Sequence, residues 1–183
     1  MTAPPRMKVA ILGDSSVGKT ALLNRFVFNH FVHEYKFTVG ADFLDRAVEN
    51  TKGEKVELQL WDTAGHERFH SILPSIVRDA DAVILAYDTT DAASFRNLAF
   101  WKMFVQMECR RDPFVIIVGT KTDDVKRRKV SNLALKTFAE SISYIETSAK
   151  SGVNVDSVRE PTVYPCDAMH VSALPNRCLE KRR

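Results

Sequence analysis

Met7-Lys8-Val9-Ala10-Ile11-Leu12-Gly13-Asp14-Ser15-Ser16-Val17-Gly18-Lys19-Thr20 decides how the rest of the chain is read. Residues 7–13 form an apolar run ending on glycine, the pattern of a buried strand. Residues 19–29 then place Ala21, Leu22, Leu23, Phe26 and Val27 at helical spacing. The polar loop between them fits G-x-x-x-x-G-K-[ST]. In that context successive backbone N–H groups form an anion nest, and the helix N-terminus adds its partial positive charge. Ser15, Ser16, Val17, Gly18, Lys19, Thr20 and Ala21 are therefore the expected phosphate cradle, with the Lys19 ammonium on the outer phosphates and the Thr20 hydroxyl on magnesium. A plain strand-to-helix turn with an exposed lysine is the competing reading.

Three further polar motifs end apolar runs. Trp61-Asp62-Thr63-Ala64-Gly65 closes residues 55–62, where Val56, Leu58 and Leu60 alternate with polar neighbours. A carboxylate at the C-terminal end of a strand faces the crevice in which an α/β sheet binds its ligand. Asp62 suits a magnesium contact through water, and the Gly65 N–H suits a terminal phosphate. Gly119-Thr120-Lys121-Thr122-Asp123 follows the run 114–119. The Asp123 carboxylate can accept from N1–H and the exocyclic amine of guanine, donors that adenine lacks, while the Lys121 stem can lie over the base. Thr147-Ser148-Ala149-Lys150 follows residues 142–146 and can offer a backbone N–H to the guanine carbonyl.

Residues 42–49 and 55–62 flank Asn50-Thr51-Lys52-Gly53-Glu54 as a hairpin. The runs 82–87 and 114–119 suit strands buried on both faces. A helix between them carries Phe95, Leu98, Trp101 and Val105, and residues 131–141 form another. The order β-α-β-β-α-β-α-β-α-β implies an α/β sheet of six strands, mostly parallel with one antiparallel edge strand and helices on both faces. A last helix starting near Val153 is cut short by Pro161. The expected division is a flexible start at 1–6, a domain at 7–157, and an irregular or disordered tail at 158–183.

The 183 residues, 45% hydrophobic and 27% charged, are those of one ordinary globular domain. There is no 18-residue apolar window and no hydrophobic stretch behind a basic start, so neither a membrane span nor a secretory signal is expected. Cys109, Cys166 and Cys178 are too scattered for a disulfide framework or a metal cluster, which points to a reducing, cytoplasmic setting. Of the net charge of +3, residues 177–183 supply all, and the remainder balances. Nucleic acid is therefore not an expected partner, and Lys126-Arg127-Arg128-Lys129 reads as a solvated loop. His30, His33, His70 and His170 show no ligand spacing and read as surface residues.

With those four strand-end motifs in order, residues 7–157 resemble a Ras-like small GTPase, a P-loop NTPase of the small G domain kind. Val39-Gly40-Ala41-Asp42-Phe43, Leu58-Gln59-Leu60-Trp61, Glu67-Arg68-Phe69 and Leu85-Ala86-Tyr87-Asp88-Thr89-Thr90 resemble the Rab branch, and Tyr35–Leu44 its late-endosomal members. The resemblance implies GTP and GDP as ligands, Mg²⁺ as cofactor, and a monomeric switch at an endosomal membrane surface. It implies that Phe31 packs on the guanine, that Tyr35 belongs to the nucleotide site, and that Thr38 completes the magnesium shell. Segments 32–42 and 63–76 would be the two switches that meet an exchange factor, a GTPase-activating protein and effectors.

The sequence departs from that family at several points. His66 stands where a glutamine usually orients the attacking water, which predicts slow hydrolysis with His66, Lys19 and Gly65 as the catalytic set. Thr120 stands where asparagine is usual, predicting binding with some loss of loop bracing. Residues 75–80 lack an aromatic pair common in Rabs. Cys178 is followed by Leu179-Glu180-Lys181-Arg182-Arg183 and is not a C-a-a-X site, so a lipid anchor is not found and stable membrane association is unsupported. Truncation of the last helix predicts exposed apolar side chains on the sheet. Two rival readings are a non-cycling binding module that sequesters regulators and a P-loop nucleotide kinase, for which no lid or acceptor-phosphate cluster is evident.

Overall fold

The computed structural model describes residues 4–33, 38–50, 52–65, 71–140 and 142–158. Strands β1 (Arg6–Leu12), β2 (Ala41–Glu49), β3 (Lys55–Thr63), β4 (Ala82–Asp88), β5 (Phe114–Thr120) and β6 (Ser143–Glu146) form one sheet in the order β2-β3-β1-β4-β5-β6. Only the β2–β3 hairpin is antiparallel; the other pairings are parallel. The helices are α1 (Lys19–Phe28), α2 (Leu73–Val77), α3 (Ala92–Arg96), α4 (Leu98–Glu108) and α5 (Asn132–Ala139).

Alternation along β1 explains why the sheet is covered on both sides. Met7, Val9 and Ile11 enter one core with Leu22, Leu23 and Phe26 of α1, whereas Ala10 and Leu12 enter the other with Leu98, Trp101 and Val105 of α4. All seven residues of β4 are buried, as a doubly covered central strand requires. The parallel strands therefore end together at one edge, where Gly13, Gly65, Lys121 and Thr147 follow β1, β3, β5 and β6. Gly13 is required there. At φ 145° its Cα passes so close to β4 that an added Cβ would lie 2.3 Å from the Ala86 carbonyl oxygen.

Two elements differ from the sequence expectation. The helix between β4 and β5 is divided at Asn97 into α3 and α4. There the Asn97 side chain is committed elsewhere, donating to the Asp14 carboxylate at 2.6 Å. Near the end of the described chain, the last helix is represented by a 3₁₀ turn over Asp156–Val158, after a left-handed Asn154 at φ 55°. Val155 and Val158 are buried in the α1-side core. Among the described residues of that face, Leu60 and Ile84 are buried. Residues 159–183 lie outside the described residues, as do residues 1–3 of the expected flexible start.

Candidate nucleotide site

At the end of β1 the loop 13–18 turns through left-handed Ser16 (φ 64°) and Gly18 (φ 99°), and Gly18 caps α1. Lys19 is 6% exposed, and its Nζ donates to the carbonyl oxygens of Gly13 and Asp14, both at 2.7 Å. Burial pushes the ammonium pKa down to about 8, against the opposing pull of the Asp62 and Asp14 carboxylates. A multivalent anion beside it would offset that desolvation. The loop is held from outside through its own Asp14, whose carboxylate accepts from Trp101 Nε1 at 2.8 Å and Asn97 Nδ2 at 2.6 Å.

Beside Lys19 the predicted magnesium ligands converge from three elements. Thr20 Oγ1 lies 2.8 Å from Thr38 Oγ1 and donates to Asp62 Oδ2 at 2.6 Å, while Thr38 Oγ1 is 3.4 Å from the same oxygen. Asp62 Oδ1 is buried without a hydrogen-bond partner. Burial raises the Asp62 pKa above the ordinary carboxylate range, opposed by the Thr20 hydrogen bond and the Lys19 charge. An orphaned buried carboxylate oxygen beside two hydroxyls fits a small hard cation that takes its remaining oxygens from phosphate and water. No cluster of three or more His, Cys, Asp or Glu side chains that could hold a metal exists among the described residues. Gly65 lies against this centre. A Cβ on it would come within 2.4 Å of the Asp14–Ser15 peptide, so glycine alone lets the segment after β3 touch the loop.

The other end of the cleft is built from the loops after β5 and β6. The Ser148 hydroxyl donates to Asp123 Oδ1 at 2.6 Å and orients that carboxylate. Lys121, left-handed at φ 59°, donates through Nζ to Ser16 O and pairs with Asp88 Oδ2, each at 2.7 Å. The buried Thr120 hydroxyl lies within hydrogen-bond distance of the Val17 carbonyl and 3.0 Å from Tyr87 O. The Thr120 hydroxyl thus reaches the phosphate loop directly. Arg128 also departs from the solvated-loop reading, since its guanidinium grips both Glu146 oxygens and Tyr87 Oη donates to Glu146 at 3.2 Å.

Between these ends runs a cleft of about 750 Å³, within the range of small-molecule sites. It is lined by Ser15, Ser16, Gly18, Lys19, Thr20 and Ala21 at one end and by Thr120, Lys121, Asp123, Ala149 and Lys150 at the other, with Phe31, Thr38 and Gly65 along its side. The Ras family model matches residues 8–164 of the chain. The chain belongs to the Ras family. Ras-related protein SEC4 of Candida albicans strain WO-1 is 42% identical over 154 residues, covering 83% of this chain and 73% of the relative. SEC4 of strain SC5314 / ATCC MYA-2876 gives the same figures. The small-GTPase resemblance and its Rab branch are thereby borne out, as is the mostly parallel six-stranded sheet.

Within this Ras-family site, Val17 and Ser148 are buried, Val17 with its side chain in the core and Ser148 with its hydroxyl on Asp123. His66 and Tyr35 lie outside the described residues, as do parts of both switch segments. Sequence reasoning missed His33, which lines the cleft and meets the Phe31 ring edge-on with centroids 5.1 Å apart. It also missed Asp14, Asn97 and Trp101 as a brace. No motif spacing links residues more than eighty positions apart.

Proposed function

We propose that this chain is a guanine-nucleotide switch of the vesicle-trafficking kind, which binds GTP and GDP with Mg²⁺ and hydrolyses GTP slowly. The observation that carries the reading is the pairing, in one cleft, of the Thr20–Thr38–Asp62 oxygen cluster beside Lys19 with a Ser148-oriented Asp123 at the far end. The base end selects guanine because a carboxylate acceptor finds two donors on that base and only mismatched groups on adenine. The phosphate end holds charge: the loop amides and Lys19 neutralise the polyphosphate, and Gly65 brings the segment after β3 against the same loop. Bound Mg²⁺ would be held by Thr20, Thr38 and Asp62 and would neutralise charge developing on the phosphoryl oxygens.

Thr38 and Gly65 belong to the segments expected to respond to the outermost phosphate. Losing their partner there removes the reason for both to stay against the loop, and exchange factors, activating proteins and effectors would read that difference at 32–42 and 63–76. Similarity to SEC4 of the Rab branch supports a trafficking setting at an endomembrane surface. No helix among the described residues is long and apolar enough to cross a membrane.

Single-turnover phosphate release compared between the natural chain and His66→Gln tests the hydrolytic part; roughly tenfold or greater acceleration is expected from restored water positioning. Equal rates would discard the assignment of slow turnover to His66. Base selection is tested with Asp123→Asn, which should lose its preference for guanine over xanthine. Mass spectrometry of the native protein separates a cycling switch, carrying GDP, from a stalled sequestering module, carrying GTP.

A further inference from the structure

Arg25, in the last turn of α1, makes contacts that no phosphate or base motif requires. Its Nε donates to the Ala149 carbonyl at 2.6 Å and its Nη2 to the Lys150 carbonyl at 2.8 Å. Its Nη1 donates to the Asn29 carbonyl at 3.0 Å and lies 3.2 Å from Asn29 Oδ1. Asn29 is the left-handed cap of α1 (φ 51°), two residues before Phe31. One planar guanidinium thus fastens the helix that carries Lys19 and Thr20 to both walls of the base pocket. Those walls are the 148–150 loop and the corner leading to Phe31.

The geometry also settles which side of the loop Arg25 holds. It takes the carbonyls of Ala149 and Lys150, and among the described residues their amides have no hydrogen-bond acceptor. A fork with two parallel donors fixes the tilt of two successive peptides, which a single ammonium cannot do. We propose that Arg25 is a positioning residue for base recognition: by holding the Ala149 and Lys150 carbonyls it presents the loop's amide edge to the 6-oxo group of a purine. The proposal rests on the guanine-nucleotide reading above. Arg25 touches no nucleotide itself under this assignment, and Asp123 reads the N1–H and 2-amino donors that stand beside the 6-oxo group.

That division of labour gives the test. Dissociation of GTP, ITP and 2-aminopurine riboside triphosphate is measured from the full chain in Mg²⁺ as natural protein, Arg25→Met and Arg25→Lys, with a thermal melt of each. ITP keeps the 6-oxo group and N1–H and lacks the 2-amino group; the 2-aminopurine nucleotide keeps the 2-amino group and lacks both the 6-oxo group and N1–H. The expected result for Arg25→Met is about tenfold faster release of GTP and ITP, the loss of roughly one charge-assisted hydrogen bond, with the 2-aminopurine nucleotide little changed. The Lys variant should fall between, because it reaches one carbonyl. If Arg25→Met fails to fold, the same ratio read on Arg25→Lys decides the matter. Equal acceleration for all three nucleotides, or none, overturns the assignment and leaves Arg25 a helix cap. Natural protein that holds no GTP overturns the nucleotide reading itself, an outcome distinct from an unchanged ratio in protein that binds.

Discussion

The two ends of the cleft are made in different ways. At the phosphate end a contiguous stretch, Gly13 to Thr20, supplies the amides, the ammonium and one hydroxyl, joined by Thr38, Asp62 and Gly65 from elsewhere and braced through Asp14. At the base end no stretch is sufficient. Asp123 depends on Ser148, the loop after β6 on Arg25, and the strand end at Thr120 on contacts to Val17 and Tyr87. Phosphate binding is thus a local property with tertiary support, whereas base selection is a tertiary property with local ingredients. Peptide groups in a nest bind any polyanion, but a base is distinguished only when donors and acceptors from separate loops stand at fixed spacing.

That contrast can be broken most forcefully at Lys19. Lys19→Met removes the buried ammonium, and GTP affinity should fall roughly 100-fold while the ratio of guanine to adenine nucleotide binding is kept. Equilibrium titration with both nucleotides checks it; a collapse of the ratio would mean the ends are not separable. Asp62→Asn is expected to be next in size. It removes a desolvated charge, so the nucleotide-free chain should melt no lower than the natural one, while nucleotide retention should fall about tenfold and lose most of its dependence on added Mg²⁺. A chelation series on both proteins reads this directly.

A smaller change sharpens the base end. Thr120→Val keeps the volume but leaves the carbonyls of Val17 and Tyr87 without the hydroxyl, at about 1–3 kcal/mol of stability in a denaturant titration. Faster nucleotide release should accompany it, since the same hydroxyl joins the end of β5 to the phosphate loop. Stability loss without faster release would show that the bond supports the core alone. Smallest of all is Arg6→Ala at the far end of β1, where the exposed Arg6–Glu57 pair (2.7 Å) should count for no more than about 0.5 kcal/mol and leave nucleotide binding untouched.

Legibility follows the same line. The strands were readable because β1, β4 and β5 are buried on both faces and so carry unbroken apolar runs, and the β2–β3 hairpin because its pattern alternates around Asn50–Glu54. The division of the helix at Asn97 was not readable. Nor was the bond from the Asn97 side chain to Asp14, a carboxylate far away in the chain and adjacent only after folding. Arg128 looked like part of a solvated basic run because local charge says nothing of Glu146, eighteen residues on, against which it packs.

By itself, the sequence determined that a glycine-bounded loop would sit between a buried strand and an amphipathic helix, and which side chains would stand at the ends of the later strands. Periodicity and dihedral preference act over a few residues, and those features need nothing more. The tertiary structure alone decided that Asp62 would keep one buried oxygen unpaired beside two threonines, that Ser148 would work from beneath Asp123, and that Arg25 would clasp the loop after β6. Such arrangements depend on distances between segments brought together by packing of the sheet, and a linear pattern contains no measure of them.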